Sequence, residues 1–340
     1  MSEATPLFPA DRLPPAPPSV IGDHGAPRMG LYAGSVAHAG FSALKGEYAA
    51  STLGRRLMEK KWQVVCLATR DAMLTLAIIE TGYLASGICA IFDRGARRLL
   101  VNENPVLPSL CAKVSDEPGD GLSARLLGPG VRARILRSGG RVLATARWAN
   151  AAIDLTLDTR KAPSPMTAIA PVDGAGRFDF TQKTVLIPAE GEIRAGNSIF
   201  PVHGELAGLD YTHGYFARET AWRWAFAAGQ QGSHLVAFNL SEGFLQGMGE
   251  NVAWVDGEPR PVGKVAFTFD AAAPLGPWRV RSEGGALDLA FQPEGYRAQT
   301  VDLKVILSKY LQPFGTFSGR VLGVEIDGLA GVTEDHAARW

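Results

Sequence analysis

After Lys60 the sequence is a succession of short runs in which apolar and polar residues alternate, separated by Gly, Pro, Asp or Asn. Residues 153–158, Ile-Asp-Leu-Thr-Leu-Asp, show period two most clearly, and this period is typical of a half-buried β-strand. Similar runs cover residues 62–68, 72–80, 131–137, 183–188, 265–270, 278–282, 287–292 and 321–327. Hairpin pairs such as Asp256-Gly257 recur between runs. A helical period is indicated in residues 49–61, and residues 299–310 are ambiguous between helix and strand. The pattern predicts an all-β sandwich or antiparallel barrel.

Length and turn content predict how the chain divides. A single core usually stops growing at about 250 to 300 residues, so a chain of 340 residues favours two cores. Strand character is low in residues 190–208, where Gly and Pro are frequent, and we place the boundary there. This division gives an extended leader (residues 1–40), an N-terminal unit (41–200) and a C-terminal unit (201–340).

Composition narrows the classes of function. The 34 basic residues balance 34 acidic ones, so the chain has no net charge to attract nucleic acid or anionic lipid over long range. Residues 1–28 contain no apolar run that could span a bilayer. Cys66, Cys89 and Cys111 lack the spacing of a zinc site and indicate free thiols in a reducing compartment. We therefore expect a cytoplasmic protein with no nucleic-acid partner and no integral membrane segment.

The stretch from residue 209 to 224 has the highest density of chemically versatile side chains. Asp210 and His213 flank an apparent turn that ends at Gly214, and across a turn a carboxylate and an imidazole can reach one pocket as acid and base. The alternative is an Asx-type turn with a solvent-facing His, which this spacing alone favours. The aromatic residues that follow change the balance towards a site.

Arg218, Trp222 and Trp224 share one face if this segment is a strand, so a cation and two indoles would form one wall of a ligand pocket. The structural alternative makes the indoles core residues and Arg218 the ion-pair partner of Glu219 or Glu250. Both readings predict a strand over residues 215–226.

A second cluster, residues 239–256, begins with Asn239 at the end of an apparent strand and continues into another strand. Glu250 and Trp254 fall on one face of that second strand. The sequence ends at Trp340, and a short helical turn would place His336 and Trp340 together against a barrel mouth. Packing of this segment between domains is the equally weighted alternative.

The candidate metal ligands are His203, His213, His234, Glu250 and His336, and they are too scattered to predict a metal site. No Gly-rich phosphate loop follows a strand, so we predict neither a metal nor an organic cofactor.

Four motifs together resemble a bacterial family catalogued as domain of unknown function 2804. They are Asp210-Tyr-Thr-His-Gly214, Arg218-Glu-Thr-Ala-Trp-Arg-Trp224, Glu250-Asn-Val-Ala-Trp-Val-Asp-Gly257 and Glu334-Asp-His-Ala-Ala-Arg-Trp340, and the resemblance runs from about residue 62 to 340. More remotely, Leu209-Asp210, Gly214 and Trp222-x-Trp224 are similar to the pattern of carotenoid 1,2-hydratases and their AttH-like relatives. That superfamily implies two tandem lipocalin-like antiparallel β-barrels with few short helices, here residues 41–200 and 201–340.

The remote resemblance implies acid-catalysed hydration or cyclisation of a hydrophobic, isoprenoid- or polyene-like molecule inside a barrel pocket. By position, Asp210 or His213 would be the proton donor and Trp222 and Trp224 would surround the cation. A desolvated carboxylic acid has a raised pKa, which favours Asp210 as donor, and His213 would then orient water. This chain departs from its relatives around His213, where they often have Asn or His directly before Trp, and their further acid has no clear counterpart here.

The expected substrate-binding residues come from both clusters and the last segment: Tyr211, Tyr215, Arg218, Trp222, Trp224, Asn239, Glu250, Trp254 and His336. The competing function is a non-catalytic carrier of a lipid-like ligand, with Arg218 holding an acidic head group. The expected partner is in either case a hydrophobic small molecule, and self-association into a homodimer stays open.

Overall fold

The computed structural model describes residues 12–246, 249–302, 304 and 306–340. The strands of the first half are β1 (Gly30–Ala33), β2 (Glu59–Ala68), β3 (Ala72–Glu80), β4 (Leu84–Asp93), β5 (Arg98–Glu103), β6 (Val106–Pro108), β7 (Ala112–Val114), β8 (Ser123–Gly128), β9 (Val131–Ser138), β10 (Arg141–Trp148), β11 (Ala151–Asp158), β12 (Met166–Pro171), β13 (Phe178–Ala195) and β14 (Ser198–Tyr215). Those of the second half are β15 (Glu219–Gln231), β16 (His234–Glu242), β17 (Val252–Val255), β18 (Glu258–Pro261), β19 (Val265–Thr268), β20 (Trp278–Ser282), β21 (Leu287–Asp302), β22 (Leu307–Val321) and β23 (Val324–Arg339).

Helix is confined to one short α-helix and three single 3-10 turns among the described residues: α1 (Thr52–Met58), Gly46–Tyr48, Ser109–Cys111 and Thr159–Lys161. The helix begins where the Ser51 hydroxyl accepts a hydrogen bond from the Gly54 amide at 3.1 Å. The prediction of a helix within residues 49–61 is therefore confirmed for its central seven residues, and β2 already begins at Glu59.

Two antiparallel sheets contain all of these strands. Sheet I follows the order β5-β4-β3-β2-β14-β13-β11-β10-β9-β8-β7, with β12 joining β1 to β13 and β6 pairing with β4. Sheet II follows the order β18-β17-β16-β15-β23-β22-β21-β20-β19. Each sheet curls around its own apolar core, so the predicted all-β class with two tandem barrel-like units and few short helices is confirmed.

Strand periodicity places a third apolar cluster between the sheets. On β2, Val65 points into the core of sheet I, whereas Val64 packs on the opposite face against the intersheet cluster. Phe92 of sheet I stacks on Phe314 of sheet II with ring centroids 5.3 Å apart. Gly208 allows close approach here, because a Cβ atom would lie 2.2 Å from the Phe226 ring. The convex faces of the two sheets thus form a common interface.

The change of sheet falls between Tyr215 and Glu219, later than the boundary near residue 200 that the sequence suggests. The segment expected to have low strand character is the β13–β14 hairpin. Its glycines permit backbone that other residues resist: Gly191 has φ +135° and lies against the Asp154 carbonyl, where a Cβ atom would be 2.0 Å from the oxygen. The division into units 41–200 and 201–340 as separate domains stays a prediction.

The leader expected at residues 1–40 is described from Arg12 onward, and residues 1–11 lie outside the described part of the chain. It has little regular structure apart from β1. It is nevertheless packed: Val20 and Val36 are fully buried, and the Val36 amide donates to the Gln182 side chain at 3.0 Å. The leader therefore forms part of the core of sheet I.

Candidate functional site

A cavity of about 200 Å³ lies between the two sheets and is walled by both. It is lined by β2, β3, β4, β13 and β14 on one side and by β15, β16, β22 and β23 on the other. The expectation of a pocket inside one barrel is therefore corrected, since the interior of each curled sheet is filled by its own apolar core. The cavity belongs to the interface between the units.

The wall from sheet I is a cross-strand row fixed by register. Lys183 pairs with Asp210, Asp210 with Val64, Val64 with Ala77, and Ala77 with Ile88. All five side chains line the cavity. Because residues opposite each other on neighbouring strands project to the same face, these side chains form one row. The row is charged at Lys183 and Asp210 and apolar at Val64, Ala77 and Ile88.

The wall from sheet II is built in the same way. Trp222 pairs with His336, His336 with Tyr310, and Trp224 with Glu334. All five side chains line the cavity, so Trp222 and Trp224 share one wall as the sequence predicts. Three aromatic rings, an imidazole and a carboxylate therefore face the charged and apolar row of sheet I.

An ion-pair cluster occupies the β13–β14 side of the cavity. The Lys183 ammonium lies 2.6 Å from an Asp210 carboxylate oxygen and 3.1 Å from one of Glu250. Burial by itself lowers the pKa of Lys183, but the charges of Asp210 and Glu250 outweigh burial and raise it, so the ammonium is charged. Asp210 is consequently held beside a fixed positive charge.

Two further carboxyl groups of this cluster have raised pKa values. Burial, reinforced by the neighbouring charge of Glu250, raises the pKa of Asp179 well above its usual range. Burial also raises the pKa of Glu250, while Lys183 opposes this shift. Asp179 Oδ1 has no hydrogen-bond partner in the described part of the chain. Asp179 is therefore a buried acid whose charged form is disfavoured.

Glu334 lies on the opposite wall, and its carboxyl group is fixed by three hydrogen bonds. Trp222 Nε1 donates to Oε1 at 2.7 Å, while the Tyr310 hydroxyl and Gln312 Nε2 donate to Oε2 at 2.5 and 3.4 Å. Burial raises the pKa of Glu334 to about 7. The bonds from Tyr310 and Trp222 and the positive charge of Arg297 oppose that rise, and the Asp210 charge adds to it. Glu334 is thus an acid that is partly protonated at neutral pH.

His336 is a neutral part of the same wall. Burial, with the positive charge of Arg297 added, lowers the pKa of His336 to about 3. Its Nε2 lies 2.8 Å from the Ser308 hydroxyl, and the Trp222 ring meets the imidazole edge-on at 4.3 Å between centroids. At neutral pH the imidazole contributes shape and hydrogen bonding without charge.

Asp210 and His213 do not share a pocket. They lie within strand β14 instead of across a turn, and a spacing of three residues places their side chains on opposite faces. Tyr211, His213 and Tyr215 all point away from the cavity, and the Tyr211 hydroxyl donates to the Ser115 carbonyl at 2.9 Å. The predicted turn at residues 210–214 is therefore wrong, because the strand continues to Tyr215.

His213 belongs to a separate buried network in sheet I. Its Nε2 lies 2.7 Å from Glu59 Oε1, and its ring stacks on Phe41 with centroids 3.7 Å apart. Burial lowers the pKa of His213 to about 4. Lys61 contacts Asp116 at 2.5 Å in the same network. These contacts attach the chain before α1 to strands β2 and β14.

Arg218 and Trp340 are joined by two hydrogen bonds. The Arg218 guanidinium donates to the Trp340 carbonyl, and the Trp340 amide donates to the Arg218 carbonyl at 2.9 Å. Arg218 does not line the cavity and does not pair with Glu250, which pairs with Lys183. The predicted helical turn is wrong, since His336 lies in strand β23, yet His336 and Trp340 both line the cavity.

Asn239 and Trp254 support the site without lining it. Asn239 accepts a hydrogen bond from Trp224 Nε1 at 2.8 Å and donates to the Glu250 carbonyl at 2.9 Å, so it positions two lining residues. Trp254 is fully buried between the sheets and donates to the Ser164 carbonyl at 3.1 Å. It is a core residue of the interface.

Sequence reasoning missed Asp179, Lys183 and Tyr310 and gave no role to Glu334. Asp179 and Lys183 lie on one face of β13, and the alternation that places them there can be seen in the sequence. Their partners, however, come from β14 and from the segment before β17. Tyr310 lies where strand character was ambiguous from sequence. Cross-strand register was needed to bring these residues together.

No group of three or more His, Cys, Asp or Glu side chains with metal-binding geometry occurs among the described residues. Across residues 12–246, 249–302, 304 and 306–340, no helix has the length and apolar character needed to cross a membrane.

Comparison of structures finds several proteins of related fold. A crystal structure provisionally named AttH, from Nitrosomonas europaea, matches with a TM-score of 0.52 at 13% identity, over 82% of this chain and 92% of that chain. Kievitone hydratase from Nectria haematococca matches at 0.47 and 11% identity, over 86% and 93%. CghA with Sch210972 also matches at 0.47 and 11% identity, over 96% and 98%. At such low identities a match shows the fold alone, and of these three only the first has a TM-score above 0.5.

No curated protein sequence gives a significant match to the chain. A family model matches residues 19–340, which include both sheets and every residue that lines the cavity. The chain therefore belongs to the family described as domain of unknown function 2804.

Proposed function

We propose that the cavity binds a hydrophobic, isoprenoid- or polyene-like molecule and catalyses its acid-dependent hydration or cyclisation. The single observation that carries the proposal is Glu334, a buried carboxylic acid with a pKa of about 7 that faces a largely apolar cavity between aromatic rings. A general acid is most effective when its pKa lies near the working pH, because it is then both available as acid and able to release the proton.

Glu334 suits the role of proton donor better than Asp210. Asp210 forms an ion pair with the Lys183 ammonium at 2.6 Å, so its surroundings are those of a paired charge and not of an isolated acid. Glu334 has no ammonium or guanidinium within ion-pair distance among the described residues, and its bonds come from neutral donors. Two carboxyl groups in different surroundings can thus take different roles, Glu334 as acid and Asp210 as base.

The aromatic residues around Glu334 support the next step. Transfer of its proton to an alkene carbon leaves a tertiary carbocation beside the indole of Trp222 and the ring of Tyr310, both hydrogen-bonded to Glu334. Cation–π attraction to a ring in a desolvated site contributes about 2 kcal/mol or more. Trp62 lines the same region, with its ring 6.2 Å from that of Trp222.

Asp210 is the proposed proton acceptor in the last step. In hydration, water adds to the cation and Asp210 takes the proton that this water loses. In cyclisation, a second double bond attacks the cation and Asp210 removes a proton from the resulting ring. His213, proposed earlier to orient water, lies on the opposite face of β14 and has no part in this scheme.

The test is mass spectrometry of organic extracts from three proteins purified from the native host: wild type, Glu334→Gln and Asp210→Asn. We expect Glu334→Gln to hold an unreacted alkene, and the wild type to hold the same compound plus one water or an isomer of it. Glu283→Gln is the control, because Glu283 is exposed and forms no ion pair in the described part of the chain. The same product in Glu334→Gln and wild type would disprove the acid assignment.

The carrier alternative depends on Arg218 as an anchor, and its position gives that function no support. Arg218 binds the backbone of Trp340 and lies outside the cavity lining. The cation that does line the cavity, Lys183, is already matched by Asp210 and Glu250. An identical, unchanged compound in all three extracts would nevertheless favour a carrier over an enzyme.

A further inference from the structure

The outer face of strands β7 to β10 concentrates positive charge, although the whole chain has no net charge. Inward positions on β8 and β9 are apolar, and alternation therefore places Arg125, Arg132 and Arg134 outward, where they are exposed. None of the three has a carboxylate within ion-pair distance among the described residues. Several other surface arginines, such as Arg160 and Arg279, are paired with carboxylates.

Register places these charges directly opposite one another. Lys113 pairs with Arg125, which pairs with Arg134, and in the next row Arg132 pairs with Arg147. Like charges opposite each other on antiparallel strands destabilise a sheet. Glu80 lies 3.4 Å from Lys113 and Asp154 lies 2.8 Å from Arg147, so compensation reaches only the margins of the patch. An anionic partner would remove the repulsion that remains at its centre.

Exposed leucines share this face with the arginines. Leu127, 61% exposed, lies directly opposite Arg132, and Leu143, 50% exposed, lies on β10. Leu110, 97% exposed, belongs to the 3-10 turn just before β7. A bilayer surface accommodates cations at its head groups and leucines at the acyl boundary, whereas a nucleic acid or a free phosphate would contact only the cations.

The patch lies near an exposed part of the cavity lining. Val106 lines the cavity and is 44% exposed. The next residue, Leu107, packs against the end of β8, since a Cβ atom on Gly128 would lie 2.8 Å from Leu107 Cδ1. Leu127 immediately precedes that glycine on β8. Val106 and Leu127 therefore lie on segments of sheet I that pack against each other.

We propose that the outer face of β7–β10 docks on an anionic phospholipid bilayer. Arg125, Arg132 and Arg134 contact the head groups and Leu110, Leu127 and Leu143 enter the interface. Docking places Val106 and the cavity entrance beside the acyl chains, where a hydrophobic molecule is concentrated. Docking would supply the substrate of the proposed function from the membrane, but the docking itself does not depend on the chemistry in the cavity.

The test is flotation of the full chain with vesicles of phosphatidylcholine alone or with about one third phosphatidylserine. We expect binding only to the anionic vesicles and its loss at about 0.5 M salt, where charges are strongly screened. Each basic residue near such a surface contributes roughly fivefold in affinity, so Arg125→Gln/Arg132→Gln/Arg134→Gln should weaken binding on the order of 100-fold.

A control variant removes the same charge from other faces. Arg70, Arg98 and Lys264 are exposed and form no ion pair in the described part of the chain, and their triple change to Gln should leave vesicle binding nearly unchanged. Leu127→Ser/Leu143→Ser should weaken binding without changing its dependence on salt. Circular dichroism melting checks that every variant is folded, and we expect the arginine variant to melt no lower than wild type because it loses like-charge repulsion.

Three results would overturn the proposal: no binding to anionic vesicles, equal binding to neutral ones, or equal losses in the two triple variants. Tighter binding to single-stranded RNA than to the vesicles would assign the patch to nucleic acid instead. None of these results involves turnover, so failure of membrane docking is distinguishable from failure of the proposed reaction.

Discussion

The raised pKa of Glu334 predicts a specific dependence of stability on pH. Its pKa changes from 4.5, the ordinary value, to about 7 in the folded protein because the group is buried. Since the folded pKa is the higher one, the folded state retains a proton that the unfolded state releases. The stability associated with that proton is complete below pH 4.5 and is lost as pH rises towards 7.

The size of this loss follows from the shift. A difference of about 2.5 pH units at 1.36 kcal/mol per unit amounts to about 3 kcal/mol. Glu334→Gln lacks the titrating proton, and its amide oxygen can accept from Trp222 Nε1 while its amide nitrogen donates to the Tyr310 hydroxyl oxygen. We expect the free energy of unfolding of wild type to fall by about 3 kcal/mol relative to this variant between pH 4.5 and 7.5.

Urea unfolding, followed by far-ultraviolet circular dichroism at a series of pH values, measures this difference directly. Asp179 and Glu250 titrate in both proteins, so the comparison isolates Glu334 to the extent that the three groups are independent. Glu283→Gln, a change at an exposed site, should follow wild type throughout. A difference between wild type and Glu334→Gln that stays constant over the whole range would refute the reasoning.

Two further predictions concern the walls of the cavity, and a third concerns the opposite face of β14. Lys183→Met leaves buried carboxylates without their counter-charge and should lower the free energy of unfolding at pH 7 by about 3 to 5 kcal/mol in urea titrations, less at pH 5; an unchanged midpoint would contradict the ion-pair cluster. Trp222→Phe removes a hydrogen-bond donor to Glu334, so the pKa of Glu334 should rise. The pH at which turnover or stability changes should rise with it, and an unchanged pH profile would contradict this effect of Trp222. Tyr211→Phe loses the hydrogen bond to Ser115 and should cost about 1 kcal/mol on unfolding while leaving the compound bound in the cavity unchanged, because Tyr211 lies on the opposite face.

Period-two alternation predicted the fold class and many strands, because burial of one face imposes that pattern on the sequence. The site was predicted only in part. Trp222 and Trp224 were placed on one wall correctly, since their spacing of two is informative within a strand. Asp210 and His213 were paired wrongly. Residues three apart in a strand project from opposite faces of the sheet, so these two side chains do not reach one pocket.

The remaining errors have a common cause in non-local pairing. Glycines in residues 190–208 indicated low strand character and a domain boundary, yet Gly191 allows a long hairpin to pass close to β11. Lys183 meets Asp210 through the register of β13 with β14, and meets Glu250 through contact between the sheets. Local propensity carries no information about such partners, whereas turn residues and alternation are local and were informative.

The intersheet cavity is where this chain departs most from the rules for a stable interior. Lys183, Asp210 and Glu250 form a buried ion-pair cluster, and replacing such a cluster with well-packed apolar residues is often neutral or stabilising by about 1 to 4 kcal/mol. Asp179 adds a buried carboxyl oxygen without a partner among the described residues, and Glu334 adds a second acid on the facing wall. Packing stability does not account for these groups, and costly polar groups gathered at one cavity are typical of a functional site. The surrounding apolar interface tolerates these polar groups, because each wall of the cavity belongs to a sheet that has its own apolar core. The same interface explains the proposed chemistry: it excludes water from Glu334, and so raises its pKa, while Lys183 forms an ion pair with Asp210 on the other wall.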